Sequence, residues 1–166
     1  MNVLQMLFDE IKQGLSTIDG IQHCGALPKR RDDIRLPAIL IDCVELELGD
    51  DPGTEELGLI SHWEARILVS EHMVEADLWA LVQVAMLWLF NHSWPDTNIG
   101  RARLKQAGPD HFSPQYQGHN LWLIEWTQLI RVGENVWDGS TVVPSVVSIG
   151  GLDAQRQEQR LTQPEE

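Results

Sequence analysis

Apolar residues recur at two spacings along this chain, and the switches between them mark its elements. Val3, Leu4, Leu7, Phe8, Ile11 and Leu15 follow helical spacing, which predicts an amphipathic helix over residues 2–16, with Gly20 as a stop signal beyond it. Residues 24–36, with Pro28 and a first basic cluster (Lys29, Arg30, Arg31, Arg35), read as a loop. After Pro37 the period changes to two. Over residues 38–48, Leu40, Val44, Leu46 and Leu48 share one parity, Asp42 being the exception among them, while Glu45 and Glu47 take the other. GDDPGTEELG, residues 49–58, is turn chemistry throughout. Residues 60–69 then alternate again, with Trp63, Ala65, Ile67 and Val69 set against His62, Glu64 and Arg66. These stretches predict a long hairpin with an acidic tip.

The helical period returns between residues 71 and 91, where Val74, Leu78, Leu81, Val82, Ala85 and Leu89 form one stripe. Its first half is amphipathic. Its second half, VAMLWLF, is apolar all the way round, and a helix without a polar face is expected to be buried on every side. Trp94-Pro95 ends it, a short strand is expected over residues 99–106, and 108–118 reads as a loop. In NLWLIEWTQLIRV, residues 120–132, Trp122, Ile124, Trp126, Ile130 and Val132 share a face interrupted only by Gln128. The opposite face mixes Leu121, Leu123 and Leu129 with Glu125, Thr127 and Arg131. A strand half apolar on both faces needs a second cover, from this chain or another. Past Gly133 the sequence loosens into an extended stretch, in which Pro144 discourages a central strand, and then a polar tail read as mobile.

This order predicts an α+β fold, one mainly antiparallel sheet with two helices packed on one face, plus an extended C-terminal segment. The single domain is expected over residues 1–139 and the tail over 140–166. A chain of 166 residues, 43% hydrophobic, is long enough to build a core without staples. Cys24 and Cys43 offer at most one pairing and read as reduced, buried thiols. Asp9 and Glu10 arrive where a signal peptide would carry its apolar region. The longest apolar run, residues 84–90, is far short of the roughly 20 residues of a membrane span. A soluble protein kept in a cytoplasm is expected.

Net charge narrows the function classes. At −13, with pI near 4.7, the chain does not read as a nucleic-acid clamp, which needs a basic face to neutralise phosphates. Acids concentrate between residues 42 and 64 (Asp42, Glu45, Glu47, Asp50, Asp51, Glu55, Glu56 and Glu64) with no Lys or Arg among them. Such a run reads as a solvated edge, or as a surface that repels an anion or meets a basic partner. The candidate contact residues at its tip are Asp50, Asp51, Glu55 and Glu56. Arg101, Arg103 and Lys105 share one parity of the short strand, and their mutual repulsion calls for nearby acids. Those are either intrachain carboxylates such as Glu64 or Glu125, or the acidic hairpin of a neighbouring subunit.

Catalytic chemistry is not written into any motif. There is no glycine-rich phosphate loop, GxSxG, HExxH or CxxC. His23, His62, His72, His92, His111 and His119 are scattered without ligand spacing, so neither a metal nor a cofactor is expected. Glu64 and Glu125 would form a carboxylate pair only if they lay on one face of neighbouring strands. Seven tryptophans exceed what catalysis asks for, and interfaces favour Trp as cores do.

The succession LPAILIDCVELELG, HWEARILVSEH, MVEADLWALVQVAMLWL and finally LWLIEWTQLIRVG with VWDG resembles the tail terminator proteins of long-tailed bacteriophages. The resemblance is a pattern of elements over residues 3–139, with no catalytic residue to carry over. It implies a structural virion protein without enzymatic activity. Such a protein forms a homo-hexameric ring that caps the tail tube, ends its polymerisation and offers a docking surface to the head. The implied partners are further copies of the chain, the tail tube protein and a head–tail connector protein. DNA would pass through the ring without specific binding and no membrane would be met. The implied location is the head-proximal end of the tail in the virion, reached from the host cytoplasm during assembly. A head–tail connector or neck ring shares these features. A small cytoplasmic enzyme or ligand-binding domain would instead show a pocket with convergent polar groups, and an acidic mimic of nucleic acid a continuous acidic stripe.

Overall fold

The computed structural model describes residues 2–26, 34–94, 96–110 and 119–138, with the backbone of 146–149 and 157–160. The first helix, α1 (Val3–Ser16), starts where Asn2 accepts a hydrogen bond from the Gln5 amide at 3.2 Å. That contact satisfies one of the amides every helix start leaves unpaired. Its stripe of Leu7, Ile11 and Leu15 is fully buried.

Five strands build one sheet. A short β1 (His23–Gly25) runs parallel to β2 (Ala38–Leu48), which turns into the antiparallel β3 (Leu57–Ser70). The second helix, α2 (Glu75–Asn91), leads to β4 (Arg103–Pro109) and β5 (His119–Val132). The strand order is β1-β2-β3-β5-β4, antiparallel at every neighbouring pair except the first. Both helices cover the same face, their buried stripes meeting Ile39, Ile41, Trp63, Ala65, Ile67, Ile124, Trp126 and Ile130 in one core. The fold is the α+β class that periodicity predicts.

Trp63 and Trp126 stand directly opposite each other on β3 and β5 and stack with ring centroids 6.3 Å apart. Beside them lies Gln128, the polar interruption of that face, and it is buried. Its side chain accepts from Trp126 Nε1 at 3.3 Å and donates to the Gly100 carbonyl at 2.9 Å. Ser61 Oγ donates to the Gln128 carbonyl at 2.8 Å and accepts from Trp63 Nε1 at 2.9 Å. Both indole N–H groups are thus satisfied inside the core, as buried polar groups must be. Gln128 also stitches the chain before β4 to β5, where Gly100 N donates to the Leu129 carbonyl at 2.7 Å and Ile99 bridges Ile130. The strand expected over 99–106 is therefore a bridge at Ile99 followed by β4.

β-Bulges explain why parity misleads. Pairing slips between Cys43 and Glu45, so Val44 is an extra residue in β2. Before it, Ile39, Ile41 and Cys43 face the helices; after it, Leu46 and Leu48 do, opposite Ser61 and Leu59. Asp42 then ceases to be an exception, because it joins Glu45 and Glu47 on the outer face. A second slip, between Leu104 and Gln106, makes Lys105 the extra residue of β4.

The outer face of β5 finds part of its cover within the chain. Leu121 packs with Ala38, Leu40 and Leu68 under Ile34 and Leu36. Further down, Leu129 remains 40% exposed. Within this one chain α2 is covered on one side only: Leu78, Val82, Ala85 and Leu89 are buried, but Leu87 and Phe90 are 52% and 64% exposed. A helix lying on one sheet is covered on one side, and nothing among the described residues covers the other.

By compactness the chain divides into Met1–Glu134 and Asn135–Glu166. In the second unit β6 (Val146–Ile149) and β7 (Gln157–Arg160) pair antiparallel. The rest of the tail expected over 140–166 lies outside the described residues.

α1 and α2 touch at Gly14, where a Cβ atom would fall inside the Trp88 indole. Alanine is normally about 1 kcal/mol better than glycine within a helix. Here that sign reverses: Gly14→Ala should destabilise by about 1–3 kcal/mol through overpacking, read from the urea midpoint. In a Trp88→Leu background, the same substitution should cost less or become stabilising.

Candidate functional site: a hairpin arm and an apolar groove

The acidic tip is a braced turn. Gly49 N donates to the Gly58 carbonyl at 2.9 Å, closing the β2–β3 hairpin. Asp51 Oδ1 accepts from Gly53 N at 2.8 Å, a local bond that short acidic side chains favour in turns. Gly53 takes φ 69°, and Glu55 takes φ 64°, a left-handed conformation costly for a residue with a Cβ. Asp50, Asp51 and Glu55 point into solvent as expected of contact residues. Glu56 does not. It is 6% exposed, and its carboxylate accepts from Thr54 Oγ1 at 2.7 Å. It belongs to the turn's framework.

Between the acids, the hairpin carries an apolar surface. Beyond the helices, Leu46, Leu48 and Leu57 are 47%, 75% and 51% exposed, with Val132 beside Leu57 on β5. All four lie on the helix-side face of the sheet, where no helix reaches them.

The basic residues sit at the opposite edge. Arg101 and Arg103 are exposed and form no ion pair among the described residues. The intrachain carboxylates expected to offset them are held elsewhere: Glu64 by Arg66, and Glu125 by the Gln106 side-chain amide. Lys105, displaced by its bulge, reaches His62 Nδ1 at 3.5 Å across the outer face, and His62 Nε2 lies 3.2 Å from Glu47. Arg103, opposite Thr127, lies on the same outer face. The first cluster's Lys29, Arg30 and Arg31 lie outside the described residues, as does His111.

Glu64 and Glu125 do meet the condition set for a carboxylate pair, since they face each other across β3 and β5, with Asp42 next to Glu64 on β2. Like charges directly opposite are destabilising, and the neighbouring donors offset this. Burial works against the Arg66 charge, but Glu64 and Asp110 outweigh it and raise its pKa. Glu64 and Glu125 are each committed to a donor of their own, Arg66 and the Gln106 amide. Among the described residues no group of three or more His, Cys, Asp or Glu is placed to hold a metal ion. Burial pushes the Cys24 thiol up to about 11 despite Lys12, and burial with Asp42 raises Cys43. Neither suits a nucleophile, which acts as the thiolate.

A groove of about 550 Å³ lies between α2 and β4, lined by Trp79, Gln83, Leu87, Phe90, Leu104 and Trp122 among others. Periodicity marks α2 as apolar but cannot tell which side the sheet leaves open. No protein-family model matches the chain, and no curated protein does either. No helix of the described residues is long and apolar enough to cross a membrane.

Two changes separate surface acids from framework. Replacing Asp50 and Asp51 by Ser and Glu55 by Asn keeps a side-chain acceptor at position 51 and suits the left-handed position 55. Unfolding stability should stay within about 0.5 kcal/mol of the parent. Glu56→Ser removes a buried acceptor and should lower it by about 1 kcal/mol. Equal losses in both variants would put Glu56 with the solvent-facing acids.

Proposed function

We propose that the chain is a ring-forming assembly protein of a long-tailed bacteriophage, a tail terminator that caps the tail tube and presents a docking surface to the head. The observation that carries the reading is the apolar side of α2, with Trp79, Val84, Leu87 and Phe90 between 47% and 64% exposed. A helix that leaves large apolar side chains in water is completed by another chain. A closed ring supplies that cover to every subunit alike.

Two features support the same reading. The order of helix, long acidic hairpin, helix and closing strands is the pattern through which the sequence resembles tail terminators. The acids of the tip and outer face give DNA nothing to grip, so a ring that turns them inward would let DNA slide. Its partners in this reading are its own copies, the tube subunit and the head–tail connector protein; its place is the head-proximal end of the tail. A small-ligand site is the reading that the groove's volume favours. Against it, the groove's described lining offers one amide, Gln83, besides the indole N–H groups of Trp79 and Trp122, too little for the convergent polar contacts that fix a ligand's orientation.

Electron micrographs of particles carrying an antibody label on this chain test the proposal. The label should fall on a ring where tail meets head, and particles lacking the chain should carry tails of uncontrolled length. A label on the connector within the head, with tails of normal length, would make the protein a neck component instead.

A further inference from the structure

The outer face of the sheet is acidic at one side and basic at the other. Along β2, Asp42, Glu45 and Glu47 lie on that face and are exposed, with no base anywhere in the strand. Asp42 and Glu45 form no ion pair among the described residues. At the far side Arg103 of β4 lies on the same face, equally exposed and equally without an ion pair there. Strand pairing sets Glu45 and Arg103 at the two ends of one row, Glu45–His62–Thr127–Arg103. β3 and β5 separate the two within one chain, so neither charge can answer the other there.

Both sides also present unpaired backbone. β1 pairs with β2 only at residues 38–40, so from 41 to 48 no described strand closes that edge. β4 has β5 as its one neighbour. Open edges of this kind are templates for another strand. Direction fits as well. β2, β3, β5 and β4 alternate, so β4 of one copy laid beside β2 of an identically oriented copy runs antiparallel to it. The bulges at Val44 and Lys105 interrupt the two edges, which keeps any such ladder short and leaves its selectivity to the side chains.

We propose that β4 of one copy pairs antiparallel with the open edge of β2, residues 41–48, of a second copy, extending the sheet from subunit to subunit. Arg103 then meets Glu45 and Glu47 on the outer face. On the helix side, the exposed Leu46 and Leu48 come alongside Leu104, under the uncovered side of α2. β1 bars the level of residues 38–40, so the neighbour sits shifted toward the hairpin tip, and an even-numbered shift keeps every side chain on its own face. One kind of edge meets the other, so the contact is heterologous and propagates. It deepens the ring reading above and rests on it only for closure.

Charge reversal in the full chain tests this. At millimolar concentration and low salt the parent should sediment as oligomers. Its outward-facing amides between 45 and 48 should then exchange with deuterium roughly tenfold more slowly than in dilute solution. Glu45→Arg with Glu47→Arg should raise the concentration needed for association by about tenfold or more, and so should Arg101→Glu with Arg103→Glu. Mixed in equal amounts, the two variants should associate again, because alternating copies give every junction one acidic and one basic edge. Circular dichroism melts matching the parent's confirm that each variant is folded.

Reversals that leave association unchanged, or mixed variants that stay apart, would overturn the proposal. So would a parent that gains no protection along β2 at high concentration, whether or not it associates. Normal rings in particles carrying only the Glu45→Arg, Glu47→Arg chain would overturn this interface and leave the ring reading standing. Re-association of the mixed variants by a chain that micrographs place away from the tail would do the reverse.

Discussion

A mismatch of lengths governs this fold. β3 and β5 have 14 residues each and so run about 46 Å. α1 has 14 residues and α2 has 17, which span only about 21 and 25 Å. Two helices laid on one face cannot cover strands of that length. One end of the sheet is dry, packed under α1, α2 and the Trp63–Trp126 stack. The other end leaves the same face bare, with Leu48 and Leu57 in solvent. The strand pairing is continuous through both ends, so the bare end is a rigid arm, held in shape by β3 and β5 rather than by a core of its own.

Within the dry end, the interruptions of the apolar pattern are what fix register. A one-residue slip of β5 would turn Ile124, Trp126 and Ile130 outward. It would also strand Gln128, whose side chain bonds both Trp126 and the Gly100 carbonyl, and break the path from Trp63 through Ser61 to the Gln128 backbone. Polar atoms buried in a core are costly unless every partner is present. Ser61 and Gln128 therefore penalise wrong pairings that the surrounding hydrophobics alone would tolerate.

The fold was legible wherever one spacing held over ten residues or more. α1, α2, β3 and β5 all follow from periodicity, and so does the dry face of β5. Legibility ended at single-residue events. The bulge at Val44 swaps which parity is buried, yet Val44 differs in no local respect from Leu46, so Asp42 read as an exception when it was the rule of its own half-strand. Glu56 sits among four acids of like composition, and only the turn's closure under Thr54 and Gly133 separates it from Asp50 and Asp51. Sequence spacing records what a residue could face; which side is left open is decided by how far neighbouring elements reach.

That last point joins the two oddities of the sequence, an α2 apolar all round and a β5 apolar on both faces. For β5 the upper part of the second face is met by Ile34, Leu36 and Leu40 of the same chain. For α2 no described element passes over Leu87 and Phe90. The difference follows from topology: β1 and β2 lie at the sheet edge beside the loop that returns over Leu121, whereas α2 lies over the edge formed by β4, beyond which the sheet has no further strand. An apolar helix at the last strand has its outer side turned away from its own sheet. Adding residues to the core would not cover it; only a surface brought from outside this sheet would.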